Sequence, residues 1–356
     1  MLGVRGLVST LALALLAVAT LGVVMPASAV PDGETPAPMI WQRDFADPSV
    51  VEFYGGYLAV GTGPVMPRVR SGGSRGPWRE MPPPLTAYPA WAVPGDIWAP
   101  HLQRVGDGTW VLYYSALVAG LAPGSRCIGA ATAATATGPF TPAGDAPLVC
   151  PPTTGALPAS DQLLDRPADL PATGVIDASV FTERDGRLYL LYKTQGLPSS
   201  IRMVPLTPDG RTVAPGKRSR MLLRSNDTVE NPALVHQGAH YVLFTSEGYF
   251  GDCDYRTTWR KSRQKWRWHT HSTNFLGPEI TGLCGPGGAD VVLPRQADRV
   301  RMFFHGWVCG GTPEPCPRGF RRTRDGALLP VRGMYGVLLA WGRSDAPEIA
   351  SYLVPR

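Results

Sequence analysis

Three carboxylates stand at the start of apolar runs in separate parts of the chain: Asp47 in A-D-P-S-V-V, Asp177 in V-I-D-A-S-V-F and Glu230 in V-E-N-P-A-L. Trp98 and Asp290 open two further runs of the same kind, in W-A-P-H-L and A-D-V-V-L. Taken singly, each acid reads as a turn or strand-start residue, because Asp-Pro and Glu-Asn-Pro are ordinary turn sequences. At matching places in separate units they ask for a joint explanation, and cleavage of a glycosidic bond supplies one. That reaction needs an acid to protonate the departing oxygen and a second carboxylate on the other side of the sugar. In the inverting version the second group activates water, and the carboxyls stand about 6.5–9.5 Å apart. A third carboxylate beside the acid raises the acid's pKa by like-charge repulsion and keeps it protonated near neutral pH.

Such acids must be brought together by the elements they open. The chain repeats one pattern, two strands joined by a tight turn, starting near Ala46, Trp98, Val175, Val229 and Ala289. The turns carry Gly, Asp-Gly or Gln-Gly, the strongest short-range hairpin signal; the fifth copy lacks the glycine turn. Repetition of one grammar outranks any local reading. Five units, each with room for one or two more strands, predict an all-β fold, a five-bladed β-propeller around a central channel. With the first strand of each unit innermost, Asp47, Trp98, Asp177, Glu230 and Asp290 are expected to meet at the channel mouth.

Residues 1–29 read as a secretory signal: Arg5, an apolar core from about Leu7 to Val24, and Ala27-Ser28-Ala29 as the cleavage site. Residues 30–356 then form a single propeller catalytic domain, secreted and extracellular. The stretches Pro64 to Pro94 and Pro151 to Pro171 read as long loops that shape the channel mouth. Net charge is +6, of which Arg5 contributes one, and the excess gathers in Arg256 to Arg267. Export argues against nucleic acid as the partner of this run, so it reads as a solvated hairpin with Trp259, Trp266 and Trp268 packed inward. Six cysteines in an exported chain imply disulfides. Six cysteines allow fifteen pairings; nearness in sequence suggests Cys127 with Cys150, Cys253 with Cys284, and Cys309 with Cys316.

D-F-A-D-P-S-V at Asp44 to Val50, W-A-P at Trp98 to Pro100, I-D-A-S-V-F at Ile176 to Phe181 and V-E-N-P-A-L at Val229 to Leu234 resemble glycoside hydrolase family 43. So do C-I-G-A-A-T-A-A-T-A-T-G-P-F from Cys127 and the ending R-G-M-Y-G-V-L-L-A-W-G-R-S-D-A-P-E-I from Arg332. The resemblance implies a five-bladed propeller acting by inversion as an α-L-arabinofuranosidase, arabinanase or β-xylosidase. Carried over residue by residue, it makes Asp47 the general base, Asp177 the modulator and orienter of the acid, and Glu230 the general acid. Asp44 is the rival base, set aside because Asp47 carries the following proline and apolar strand. Trp98 and Trp91 would wall the sugar pocket, since a flat indole stacks on the apolar face of a sugar ring. His305 matches a position near the family's pocket, with Phe250 and Trp307 as further contacts. Arabinan, arabinoxylan or related oligosaccharides would be the partners of a monomer that needs neither nucleic acid nor membrane.

That chemistry requires no cofactor. A central calcium is the one metal the resemblance brings in, and the run Gly285 to Asp290 lacks the histidine that family members carry near it. The other departure is His101, where W-A-P is usually followed by an acid. A non-catalytic, lectin-like carbohydrate-binding propeller is the alternative reading.

Overall fold

The computed structural model describes residues 36–151, 173–293 and 299–356. The signal sequence and residues 152–171 of the second long loop lie outside the described residues. Among the described residues twenty strands form five four-stranded antiparallel sheets, each ordered as the chain runs. Blade one holds β1 (Ala46–Phe53), β2 (Gly56–Thr62), β3 (Arg68–Ser71) and β4 (Arg79–Met81). Blade two holds β5 (Trp98–Arg104), β6 (Trp110–Leu117), β7 (Arg126–Ala133) and β8 (Thr141–Pro142). In blade three are β9 (Val175–Thr182), β10 (Leu188–Thr194), β11 (Ser199–Pro205) and β12 (Arg220–Ser225). Blade four has β13 (Val229–Gln237), β14 (His240–Glu247), β15 (Arg256–Ser262) and β16 (Thr273–Leu276). Blade five has β17 (Cys284–Val292), β18 (Arg301–Val308), β19 (Val331–Trp341) and β20 (Pro347–Tyr352). The first strands β1, β5, β9, β13 and β17 pack on one another in a ring, as the repeats predict. A short α-helix, Pro278–Thr281, leads into blade five.

Each blade is buried on both faces, which accounts for second strands such as L-Y-L-L-Y-K-T in β10 that are buried at every position. Successive side chains of a strand point to opposite faces. Leu188, Leu190 and Tyr192 therefore join Val111 and Tyr113 of blade two, while Tyr189 and Leu191 join Leu234 and Leu243 of blade four. The same alternation builds a core between every neighbouring pair, including Val50 and Tyr57 of blade one with Phe303 and Met334 of blade five. The ring closes there. Met39 and Phe45 donate backbone N–H groups to the carbonyls of Met334 and Arg332, so the entering chain lies along the first half of β19, while β20 pairs with its second half.

Three disulfides join Cys127 to Cys150, Cys253 to Cys284 and Cys309 to Cys316, the pairs that nearness suggests. The stretch from Pro64 to Pro94 is not one loop, because it carries β3 and β4. These outer strands, R-V-R-S and R-E-M, are short and mostly polar, and so give no alternating apolar signal. The basic run is β15 and the turn after it: Trp259, Trp266 and Trp268 are half-buried against the blade cores. Arg260 pairs with Glu247 and Lys265 with Glu183, each at 2.7 Å. Among the described residues no helix is long and apolar enough to cross a membrane.

Candidate active site

All five inner strands break their pairing at the same place. The register shifts between Ala46 and Ser49, Trp98 and His101, Ile176 and Ser179, Glu230 and Ala233, and Gly287 and Asp290. Within each break one residue takes a positive φ: Asp47 (47°), Ala99 (42°), Asp177 (61°), Asn231 (48°) and Gly288 (62°). Bulges of this kind bend a strand and re-aim its side chains, and they gather beside functional sites. Asp and Asn tolerate the left-handed region better than other residues with a Cβ. At Gly288 a Cβ would lie 2.5 Å from His305 Nδ1 and 2.7 Å from Asp47 Oδ1, and one on Gly287 would collide with the Tyr255 ring. The glycine pair that distinguishes the fifth unit thus makes room for its neighbours.

The bulges correct the alignment drawn from sequence. Asp47 and Asp177 occupy the bulge itself, Trp98 and Glu230 the position before it, and Asp290 the second position after it. Four of the five line one cleft of about 610 Å³: Asp47, Trp98, Asp177 and Glu230. Asp290 lies deeper in the channel. Its Oδ2 accepts the Val50 N–H at 2.8 Å, just as Ser49, at the same bulge position, accepts the Leu102 N–H at 2.9 Å. Asp290 stitches blade five to blade one.

Asp47, Asp177 and Glu230 differ in the donors that hold them. Asn231 bridges two of them: its Nδ2 donates to Asp47 Oδ1 at 2.9 Å and its backbone N–H to Asp177 Oδ2 at 3.1 Å. The Thr62 hydroxyl donates to Asp47 Oδ2 at 2.7 Å. Glu230 takes the Lys193 ammonium on Oε2 at 2.5 Å and the Tyr255 hydroxyl on Oε1 at 2.8 Å. Burial and the neighbouring Glu230 carboxylate push Asp177 up to about 8. Burial opposes charge on Lys193, but Glu230 and Asp177 outweigh it and raise the amine above its usual value. Burial also drives Tyr255 well up, so it remains a donor.

The other sequence candidates divide. Phe250 lines the cleft. Trp98 does too, with the Arg126 guanidinium stacked 3.2 Å from its ring centroid. Trp91 does not line the cleft: it is buried in the core between blades one and two, stacked on Tyr114 at 6.3 Å. His305 is 1% exposed and lies beneath Asp47, whose N–H it accepts on Nδ1 at 3.1 Å. Burial lowers this imidazole to about 4, so it is a neutral prop for the Asp47 backbone, out of a sugar's reach. Trp307 is buried and donates its indole N–H to the Phe250 carbonyl. Asp44 reaches the cleft wall but is held by Arg332 through two guanidinium bonds, at 3.1 and 2.8 Å, and a backbone N–H at 2.8 Å. Burial would raise its carboxyl, yet Arg332 outweighs burial and lowers it. Sequence reasoning passed over Thr62, Lys193, Asn231, Tyr255 and Arg332. Asn231 was the nearest to detection, lying inside the quoted V-E-N-P-A-L.

Within the channel, His101 Nδ1 faces Asp290 Oδ1 at 3.8 Å. Among the described residues no three His, Cys, Asp or Glu side chains gather where they could hold one ion, and no step below runs through a metal.

A sequence profile described as Glycosyl hydrolases family 43 matches residues 37–316. The chain belongs to glycosyl hydrolase family 43. Solved structures agree on the fold. A thermostable family-43 glycoside hydrolase superposes with a TM-score of 0.68 at 17% identity, covering 91% of this chain and 98% of that one. An endo-1,4-beta-xylanase from Bacteroides thetaiotaomicron gives 0.62 at 20% identity, covering 90% and 99%. The alpha-L-arabinanase of Cellvibrio cellulosa gives 0.61 at 18%, covering 88% and 99%. Comparison with curated protein sequences found no match. Family membership and the propeller make this family-43 protein a glycoside hydrolase, and its three disulfides are consistent with an extracellular enzyme.

Proposed function

We propose that the protein is a secreted, inverting glycosidase that cleaves arabinofuranosyl or xylosyl linkages in arabinan, arabinoxylan or related oligosaccharides. The observation that carries this reading is the convergence of Asp47, Asp177 and Glu230, from three different inner strands, on one cleft beside Trp98 and Phe250. Asp47 is the base: held by Thr62 and Asn231, which are both uncharged, it takes a proton from the attacking water. Asp44 is a poorer base because Arg332 already binds both its oxygens. Glu230 is the acid that protonates the departing oxygen, and Asp177 shares a proton with it. Two interacting carboxyls release their protons as a pair, so an Asp177 raised to about 8 keeps one proton in the site at neutral pH. The attacking oxygen bonds to the anomeric carbon as the glycosidic bond breaks, with no covalent intermediate.

The test is turnover by the oxidised, secreted protein on aryl arabinofuranoside, aryl xyloside, linear arabinan and arabinoxylan, with Glu230→Gln beside it. Release of product with inverted anomeric configuration, lost in the variant, is the expected result. Full activity in Glu230→Gln would remove Glu230 from the reaction. Saturable sugar binding without turnover in either protein would make the cleft a lectin site.

A further inference from the structure

The reading of Glu230 as the acid meets a difficulty in the empty cleft. Both its oxygens are occupied, one by an ammonium at 2.5 Å, and the side chains of Lys193 and Glu230 are only 10% and 12% exposed. An opposite charge at such a distance favours the carboxylate, and in this form Glu230 has no proton to give. Asp177, on the neighbouring β9, accepts the Asn231 N–H and, among the described residues, no hydrogen bond from a cation, although the Lys193 charge reaches it as well. Lys193 belongs to β10, whose register slips by one residue opposite the Asp177 bulge. It also lines the cleft, within reach of a bound sugar.

We propose that Lys193 is a positioning residue that decides which carboxyl carries the site's proton, holding Glu230 as the carboxylate in the empty cleft and leaving the proton on Asp177. When a sugar hydroxyl takes up the ammonium, the O–H bond of Asp177 breaks and one forms on Glu230, which then protonates the glycosidic oxygen. The proton count of the site is unchanged until that last step. The charged and titratable groups facing the pair are Lys193 from β10, Tyr255 from the segment before β15 and Asp47 from β1. Behind Asp47 stand the neutral His305 and the Asp44–Arg332 pair. Among the described residues Lys193 is the one cation bonded to Glu230. The upward displacement of Asp177 to about 8 agrees with this arrangement.

The inference rests on the proposed role of Glu230, so its experiment has one readout that needs no turnover. Carboxyl carbons of Asp177 and Glu230 are titrated by carbon-13 NMR in the unliganded, full secreted protein, as wild type, Lys193→Met, Lys193→Gln and Lys193→Arg. Lys193→Gln keeps a hydrogen-bond donor and removes only the charge, and so serves if the methionine variant does not fold. In the neutral variants the last proton of the pair should leave at least about one pH unit higher and appear on Glu230 as well as Asp177; Lys193→Arg should follow the wild type. The alkaline limb of kcat/KM on whichever glycoside is turned over should move up by the same amount, which loss of packing alone would not produce. Unchanged carboxyl titrations in both neutral variants would overturn the assignment of Lys193. Shifted titrations in a protein that turns over no glycoside would keep it and remove the glycosidase reading.

Discussion

Two glutamates at the junction of blades three and four are gripped in nearly the same way, yet only one lies where chemistry is possible. Glu183 takes Lys265 on Oε2 at 2.7 Å and the Tyr241 hydroxyl at 2.9 Å, with His236 on Oε1 at 3.1 Å. Glu230 takes Lys193 at 2.5 Å and the Tyr255 hydroxyl at 2.8 Å. The two sites sit at opposite ends of β9: Asp177 is the third residue of that strand and Glu183 follows its last residue. What differs is the company. Burial would raise Glu183, but Lys265, Tyr241 and the Arg184 N–H outweigh it and bring the carboxyl to about 2. Beside Glu230 stand two further acids, and burial with like charge carries Asp177 to about 8. A lysine-tyrosine clamp alone makes a structural ion pair; adding carboxylates to the same clamp retains a proton at neutral pH.

The largest effect expected of this contrast is on turnover. Glu230→Gln should lower kcat by about 10²–10⁴-fold, the usual worth of a positioned acid, while Glu183→Gln leaves kcat within about threefold. Comparable losses in the two variants would break the comparison. Asn231→Gly keeps the left-handed backbone and removes the amide that donates to Asp47. A hydrogen bond to a charged group is worth about 1.5–3 kcal/mol, so kcat should fall about 10- to 100-fold while the melting temperature drops by no more than several degrees. A melting temperature that collapses instead would make Asn231 a structural tie like those of Glu183.

Stability should answer in the opposite sense. Glu183→Gln is expected to cost about 2 kcal/mol in denaturant unfolding, since it leaves Lys265 buried beside a neutral partner. Glu230→Gln also strands a lysine, but relieves the repulsion with Asp177, and should cost less. The smallest effects are the pH slopes. Asp177 is raised when folded, so its contribution is full below the unfolded carboxyl value near 4 and is lost as pH rises towards about 8. Glu183 is lowered when folded, so its contribution is present above about 4.5 and lost as pH falls towards about 2. Melting curves across pH should therefore lose the decline between about pH 4 and 8 in Asp177→Asn and part of their acid slope in Glu183→Gln. A decline between about pH 4 and 8 that survives in Asp177→Asn would place the raised proton elsewhere.

Much of the fold was legible because it is local. Hairpin turns and alternating apolar strands announce themselves within about fifteen residues, and five copies point to a ring of blades. Blade one's outer strands were missed because they are only four and three residues long and mostly polar, which leaves no alternating apolar signal. The acids were legible by type, since Asp47, Asp177 and Glu230 each open a repeat, but their register was not. Aligned by sequence, Glu230 and Asp177 look equivalent, whereas the bulge sets them one position apart and sends Asp290 into the channel as a stitch between blades. A one-residue slip reverses the face a side chain takes, and a bulge reveals itself only in the pairing of two strands. Trp91 and His305 failed as pocket residues for a related reason: an aromatic side chain that ends in the core and one that ends in a cleft have the same local sequence.

By itself the sequence determined the repeat and the positions of the three acids, which depend on residues close along the chain, and only suggested the pairing of the six cysteines, which the structure decided. Tertiary structure alone decided what each acid touches. Asp47 meets Asn231 from 184 residues away and His305 from 258, and Asp44 meets Arg332 from 288. Lys193 reads in sequence as the end of an ordinary strand, L-Y-L-L-Y-K-T. Its ammonium gains meaning only when the ring of blades brings β10 and β13 together and shuts out water, because charge acts through distance and solvent exclusion, and neither is written in the order of the residues.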